Sequence, residues 1–287
     1  MRRLALLLLA APLAAQSPSA HERLLEADHA TSDAVYTTGA AAALPAALTD
    51  DAVLVWPGAA VLKGAPAVTR FLGLQKAVVG AKISWQTQHL EVSRDSSLGL
   101  AWGVAIIDRA AGAGLPGSHR IARFLAAWKP VNGAWRISAL AFSGLLNGAE
   151  TVWGDSLGVK EWPLLPSTGA AAKFIAADSS FAALAGKEGA GKAFGYWATP
   201  DAVTFSASGE LTMGPRSIAA GFDGDANHWS WGAVAAGAST DGTLGWTVGQ
   251  AVIAGKDRSS KSKYLTLWRR DANGSVRFIS DGGNGRP

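Results

Sequence analysis

Cysteine is absent from the 287 residues of this chain. The protein therefore has neither disulfide bonds nor a thiolate nucleophile, and each of its domains must be stable through its apolar core alone. Charged residues are also sparse, at 17%, whereas hydrophobic residues reach 48%. This balance is typical of a globular protein and excludes a disordered one, and the length allows two domains.

Sequence motifs for metal, nucleotide or nucleophilic chemistry are missing as well. There is no H-E-x-x-H and no G-x-S-x-G, and the five histidines are scattered. The segment GKEGAGKA at 186–193 nearly matches a phosphate-binding loop, but Ala193 stands where that loop requires Ser or Thr, and a helix precedes it. Gly112, Gly114 and Gly117 match G-x-G-x-x-G but open no helix, so they do not indicate dinucleotide binding. We predict no cofactor and no metal site.

A strong excess of either charge is lacking too. Arg2 and Arg3 belong to a predicted N-terminal signal, described next, that is removed from the mature chain. Without them 24 basic residues remain against 22 acidic ones, so the formal charge falls from +4 to +2. Such a small excess predicts no nucleic-acid partner.

The first fifteen residues, MRRLALLLLAAPLAA, have the layout of a secretory signal: two arginines, an apolar run and small residues. The apolar run is too short to span a bilayer as a mature helix. We expect cleavage after Ala15, a secreted or periplasmic protein that starts at Gln16, and no integral membrane span. A buried N-terminal helix is the alternative interpretation.

A duplication dominates the rest of the chain. The segment TDDAVLVWPGAAVLKG at 49–64 returns as TPDAVTFSASGELTMG at 199–214, an offset of 150 residues. A unit of 150 residues is long enough to fold with its own core, so the repeat predicts two copies of one domain. We place the first domain at 21–144, a Gly- and Pro-containing linker at 145–170 and the second domain at 171–287.

Each copy begins with helical patterns and ends with strand patterns. In the first copy, helices are predicted at 22–36, 40–48 and 66–75, with a short hairpin at 53–63. Four strand-like runs follow, at 82–94, 98–109, 118–129 and 135–142, separated by turn residues. Sequential hairpins indicate an antiparallel sheet, so the fold class is α+β with helices over one face of a curved sheet.

Several short motifs occur in the same order in both copies: an internal Asp in the first helix (Asp28, Asp178), a Gly before the second helix, D-A-V with a hairpin ending in Gly, L-G…G in a strand, and a last hairpin with W…W/V-R. In this order they resemble the SnoaL-like branch of the nuclear transport factor two-like superfamily, over residues 22–143 and 172–281. The resemblance implies tandem cone-shaped domains, each a curved antiparallel sheet with three helices on its concave face and a pocket between. It also implies that the two cones pair through their sheets. Isomerases, epoxide hydrolases, dehydratases, cyclases and binding domains share this fold, so the resemblance leaves function open.

Strand parity makes Asp108 a candidate acid or base. Between 100 and 108 the even positions carry the bulky residues, so we expect the even face to point into the cone. Asp108 would then lie at the pocket mouth, where desolvation raises the pKa of a carboxyl group enough for general acid–base work. The alternative is a solvated residue at the end of a hairpin.

Asp28 lies on the same helical face as Leu24 and Leu25, and Asp178 has a similar setting in the second copy. A carboxylate on an apolar helix face needs a partner. One interpretation is a pocket acid or base, and the other is an acceptor for backbone N–H groups or a strand arginine. The occurrence in both copies favours a role in the fold.

Tryptophan is abundant, with twelve residues in the chain. Trp56, Trp85 and Trp102 suit an aromatic wall around a small apolar molecule, although core packing explains them equally well. With Asp108, and with His119 and Arg123 as further polar groups, they place the expected ligand in the first cone. The second cone offers Gln250 and Tyr264 as ligand-binding candidates.

Two functions remain open from the sequence. The first is an exported binding or structural module whose cones enclose a small apolar molecule or are packed shut. The second is a cofactor-independent isomerase, dehydratase or hydrolase that uses Asp108 or Asp28 with His119 and Arg123. Phe124 stands where the second copy has Tyr264, so the first cone lacks that hydrogen-bond donor, which favours the module.

Overall fold

The computed structural model describes residues 17–75, 80–112, 116–144 and 161–285, so the predicted signal segment and most of the predicted linker lie outside it. The elements of the first copy are α1 (Ala20–Thr38), α2 (Ala40–Ala47), β1 (Leu48–Val55), β2 (Leu62–Lys63), α3 (Ala65–Leu74), β3 (Lys82–Val92), β4 (Gly99–Arg109), β5 (Ser118–Val131) and β6 (Ala134–Ser143). Those of the second copy are α4 (Ala172–Glu188), α5 (Ala190–Trp197), β7 (Ala198–Phe205), β8 (Leu211–Met213), α6 (Pro215–Ala220), β9 (His228–Ala238), β10 (Leu244–Ala254), β11 (Ser259–Arg270) and β12 (Val276–Gly285).

Each copy forms one six-stranded sheet. The strand order is β2-β1-β6-β5-β4-β3 in the first copy and β8-β7-β12-β11-β10-β9 in the second. The sheets are antiparallel except for one pair in each, β1 with β6 and β7 with β12, which runs parallel. A long stretch of chain connects the two strands of each parallel pair, as parallel pairing requires. Two curved sheets, each with its own three helices, confirm the expected α+β fold of two tandem cones.

Local chemistry sets the ends of the first helix. A reciprocal capping box starts α1, in which Glu22 N donates to Ser19 Oγ at 3.2 Å and Ser19 N donates to Glu22 Oε2 at 2.6 Å. Gly39 and Gly189 end α1 and α4 with the same φ of 91°, a backbone conformation that favours glycine. The same residue therefore separates the first two helices in both copies.

In β4 the helix-facing side of the strand is the side with the smaller residues. Ala101 belongs to the core of the first cone, whereas Leu100 and Trp102 lie on the opposite face of β4. The expectation that the bulky even positions point into the cone is wrong. The reason is steric, because a Cβ atom at Gly99 on the inner face would overlap the side chain of Leu24 from α1.

The outer faces of the two sheets share one apolar cluster. Its buried members include Val53, Leu100 and Leu125 from the first sheet and Val203, Trp246 and Leu265 from the second. Leu100 and Trp102 of β4 thus pack against the other copy instead of inside their own cone.

Polar contacts between the copies surround this cluster. Asp95 N donates to the Asp241 carboxylate at 3.2 Å, and Asp241 N donates back to the Asp95 carboxylate at 2.8 Å. Arg269 forms an ion pair with Glu91 of the first copy at 2.6 Å and with Asp201 of its own copy at 2.8 Å. The β3–β4 turn therefore binds the equivalent β9–β10 turn of the other copy.

Candidate ligand cavity

The second cone encloses a cavity of about 470 Å³ between the inner face of its sheet and its helices. Its polar lining includes Thr204, Ser206, Thr212, Tyr264, Thr266 and Asp281. Its apolar lining includes Phe181, Phe194, Ile218, Phe222, Trp229 and Trp231. This volume lies within the range of small-molecule sites, which are mostly apolar with a few oriented polar groups.

The corresponding space in the first cone is filled by aromatic rings. The ring of Trp56 lies edge-on to Phe142, with centroids 5.3 Å apart, and to Phe71, at 6.3 Å. All three side chains are buried. Repeat offset and strand pairing assign Ser206, Gly283 and Gly221 to the same three positions in the second cone. The second cone is therefore open because three rings have been replaced by a hydroxyl and two glycines.

One row of side chains across the sheet changes from apolar to polar between the copies. In the first cone this row, across strands β2, β1, β6 and β5, is Leu62, Leu54, Leu140 and Ala126. In the second cone it is Thr212, Thr204, Asp281 and Thr266. The cavity thus has a polar floor that the first cone lacks.

Asp281 is the acidic group of this floor. Thr266 Oγ1 donates a hydrogen bond to Asp281 Oδ2. Burial raises the pKa of Asp281 to about 6, from the ordinary 3.8. Because it lines the cavity and titrates near neutral pH, it can accept a hydrogen bond or exchange a proton with a bound molecule.

A second carboxyl group lies behind Tyr264. The Tyr264 hydroxyl donates to Asp178 Oδ2 at 2.8 Å, and Thr247 Oγ1 donates to Asp178 Oδ1 at 3.0 Å. Burial raises the pKa of Asp178 to about 7, against the lowering effect of these two hydrogen bonds. Burial likewise raises the pKa of Tyr264 well above its usual value, so its phenol stays protonated. Gly249 makes room for this contact, since a Cβ atom there would overlap the Tyr264 hydroxyl.

The three tryptophans expected to form a ligand wall in the first cone have other contacts. Trp56 is a core residue, and Trp85 is buried with its Nε1 donating to Asp28 Oδ1 at 3.1 Å. Trp102 lies on the outer face, stacked on His89 and edge-on to Phe205 of the second copy, with centroids 5.7 Å away in both cases. The structure corrects the expectation, because packing explains each of these side chains.

Asp108, His119 and Arg123 also lie on the outer face of the first sheet. Asp108 Oδ1 and His119 Nδ1 are 2.6 Å apart, and their side chains are 54% and 62% exposed. Asp108 is therefore the solvated hairpin residue of the alternative interpretation. Arg123 Nε donates to Gly209 O at 3.2 Å, so it contacts the β7–β8 turn of the second copy instead of a ligand in the first cone.

Asp28 is fully buried in the first cone. It accepts hydrogen bonds from Trp85 Nε1 and from Thr87 Oγ1, the latter at 2.5 Å. Burial raises the pKa of its carboxyl group, against the effect of these two donors. The partners of Asp28 are therefore side chains of β3, not the backbone N–H groups or the arginine that the fold interpretation expected. These hydrogen bonds connect α1 to the sheet.

Of the two candidates in the second copy, the structure places one at the cavity. Tyr264 lines it. Gln250 alternates in β10 with the inward-facing Gly249 and Ala251, so it lies on the opposite face.

No protein-family model matches the chain, and no curated protein matches it. Among solved structures, an NTF2-like protein with a cystatin-like fold from Novosphingobium aromaticivorans is 20% identical, covers 44% of this chain and 82% of its own, and has a TM-score of 0.34. A ketosteroid isomerase-like protein from Erwinia carotovora atroseptica is 16% identical over 42% and 94%, with a TM-score of 0.35. An NTF2-like protein of unknown function from Pseudomonas putida is 15% identical over 50% and 96%, also at 0.35. The likeness to these three structures concerns the fold alone.

Within the described ranges, no helix is both long and apolar enough to cross a membrane.

Proposed function

We propose that this protein binds a small, largely apolar molecule in its second cone, and that the first cone is a closed partner domain. The observation that carries the proposal is the replacement of Trp56, Phe71 and Phe142 by small residues. Removing one large core side chain commonly costs about 3–5 kcal/mol of stability. An open cone with a polar floor is therefore an unfavourable way to build a purely structural domain, and ligand binding explains why it is present.

Filling the cavity tests this proposal. Ser206→Trp introduces the residue that the first cone carries at the same position, so it should occupy the space intended for the ligand. We expect the full chain to bind the neutral fluorescent probe N-phenyl-1-naphthylamine, and Ser206→Trp to weaken that binding by about tenfold or more, a loss of at least 1.4 kcal/mol.

Ser230→Trp is the matched control, because Ser230 is exposed and outside the cavity. It should leave probe binding unchanged. Equal binding by the Ser206→Trp protein and the unmodified chain, or no binding by the unmodified chain, would contradict a ligand in this cone.

A cofactor-independent acid–base enzyme is the second candidate function. One observation favours it, namely a carboxyl group with a pKa of about 6 that lines the cavity. In that case Asp281→Asn should abolish turnover of a bound substrate while binding persists. Turnover that survives this substitution would exclude Asp281 as the acid or base.

We also propose that the protein is exported and that its two cones act as an internal pair. The N-terminal layout of two arginines, an apolar run and small residues supports export. The apolar cluster shared by both sheets supports the pairing. N-terminal sequencing of the mature protein should begin at Gln16, and an intact Met1 on material from outside the cytoplasm would contradict signal cleavage.

A further inference from the structure

Aromatic side chains from the helices, from the turn after α6 and from strand β9 form a continuous wall of the cavity. Ring centroids are 4.7 Å apart for Phe181 with Phe194, for Phe181 with Trp231 and for Phe194 with Phe222, and 5.6 Å apart for Phe222 with Trp229. All five side chains line the cavity. Aromatic faces attract organic cations, most strongly where water is excluded.

Asp281 lies in the same cavity without a cationic partner among the described residues. Its hydrogen bond comes from Thr266, whereas a carboxylate can accept about four. The two nearby lysines of β11 are engaged elsewhere: Lys261 Nζ binds Glu161 at 3.2 Å, and Lys263 Nζ binds Asn284 Oδ1 and Gly285 O. Both lysines are among the residues that line the cavity, and within the described residues neither forms an ion pair with Asp281. A carboxylate in a mostly apolar cavity is costly without an opposite charge, and a cationic ligand supplies one.

We infer that the ligand of the second cone is a small organic cation, an amine with an apolar body, whose ammonium group contacts Asp281 and the aromatic wall. This inference rests on the proposed binding function. An anionic ligand is disfavoured by repulsion from Asp281. A neutral alcohol of the same shape gains neither the charge-assisted hydrogen bond nor the cation–π attraction.

The test compares ligands that share a naphthyl body and carry a cationic, a neutral or an anionic group at the end of a short side chain. Calorimetric titration of the full chain near neutral pH would use 2-(2-naphthyl)ethylamine, 2-(2-naphthyl)ethanol and 2-naphthylacetate. We expect the amine to bind about tenfold or more tightly than the alcohol, and the carboxylate to bind most weakly. In Asp281→Asn the preference for the amine over the alcohol should fall to within about threefold.

If Asp281→Asn does not fold, Asp281→Leu replaces it, since Leu140 occupies the same position in the first cone. An alcohol that binds as tightly as the amine, or an amine preference that survives both substitutions, would overturn the inference and leave the binding function standing. Failure of N-phenyl-1-naphthylamine and all three naphthyl compounds to bind the unmodified chain would instead overturn the proposed function.

Discussion

Asp281 occupies the position that Leu140 holds in the first cone, so a titratable group stands where the closed cone has an apolar core residue. Its neighbours in the row, Thr204 and Thr266, replace Leu54 and Ala126. The Thr266 hydroxyl satisfies part of the hydrogen-bonding capacity of the carboxylate, but it does not neutralise its charge. The charge of Asp281 therefore destabilises the fold when no opposite charge lies beside it.

The pH dependence of stability should show this destabilisation. The pKa of about 6 in the folded state lies above the ordinary 3.8, so the folded protein binds more protons than the unfolded chain between these values. The associated stability is fully present below about pH 4 and is lost as the pH rises through 6. Asp281→Asn removes this loss of stability at higher pH. It also removes the repulsion from Asp281 that helps to raise the pKa of Asp178.

We accordingly expect Asp281→Asn to increase the free energy of unfolding by about 1–3 kcal/mol at pH 8, with a difference that shrinks as the pH approaches 4. Urea denaturation at both pH values measures this. Asp108→Asn is the control, because Asp108 is more than half exposed and should change stability by no more than about 0.5 kcal/mol. A destabilised Asp281→Asn protein at pH 8 would show that the carboxylate is favourable where it lies.

At the scale of helices and strands, the repeat and the hydrophobic pattern predict most of the fold. Gly39 and Gly189 separate the first two helices, and the four strand-like runs of the first copy correspond to β3 to β6. Parity distinguishes the two faces of a strand but does not say which face points inward when both are buried. In β4 both Leu100 and Ala101 are fully buried. The larger size of Leu100 and its even-numbered neighbours therefore led to the wrong prediction that their face points into the cone.

The candidate site was missed for a related reason. The offset between the copies is 150 residues at Gly64/Gly214, but 146 at Trp85/Trp231 and 140 at Trp128/Trp268. Strand pairing then sets it to 141 in the last strand, where Leu140 corresponds to Asp281. Thr204 and Thr212 keep the offset of 150 from Leu54 and Leu62, but shorter connections in the second copy move Thr266 and Asp281 out of it. A comparison at constant offset therefore misses the acidic half of the polar row. The glycines near the C-terminal end of β12 add to this, because a strand with few side chains lacks the usual apolar alternation.

In the whole molecule, the outer face of the first sheet packs against elements that line the cavity of the second cone. Leu125 of β5 lies against β12, since a Cβ atom at Gly282 would be 2.8 Å from its Cδ1. Gly282 stands between the cavity-lining residues Asp281 and Gly283. Arg123 and Gly144 bind the backbone of the β7–β8 turn, which also contributes to the cavity wall. The closed cone therefore supports the strand and the turn that shape the open one.

Two substitutions in β5 test this support in the intact chain. Leu125 and Ile121 are on the same face of the same strand, but Leu125 is fully buried in the cluster shared by both sheets and Ile121 is 60% exposed. Leu125→Asp places an unpaired charge between the sheets and should lower the free energy of unfolding by about 3 kcal/mol or more, whereas Ile121→Asp should change it by less than about 1 kcal/mol. Urea denaturation followed by tryptophan fluorescence measures both, and probe binding should weaken with Leu125→Asp alone because β12 carries Asp281. Equal effects of the two substitutions would mean that the sheets do not pack together in solution.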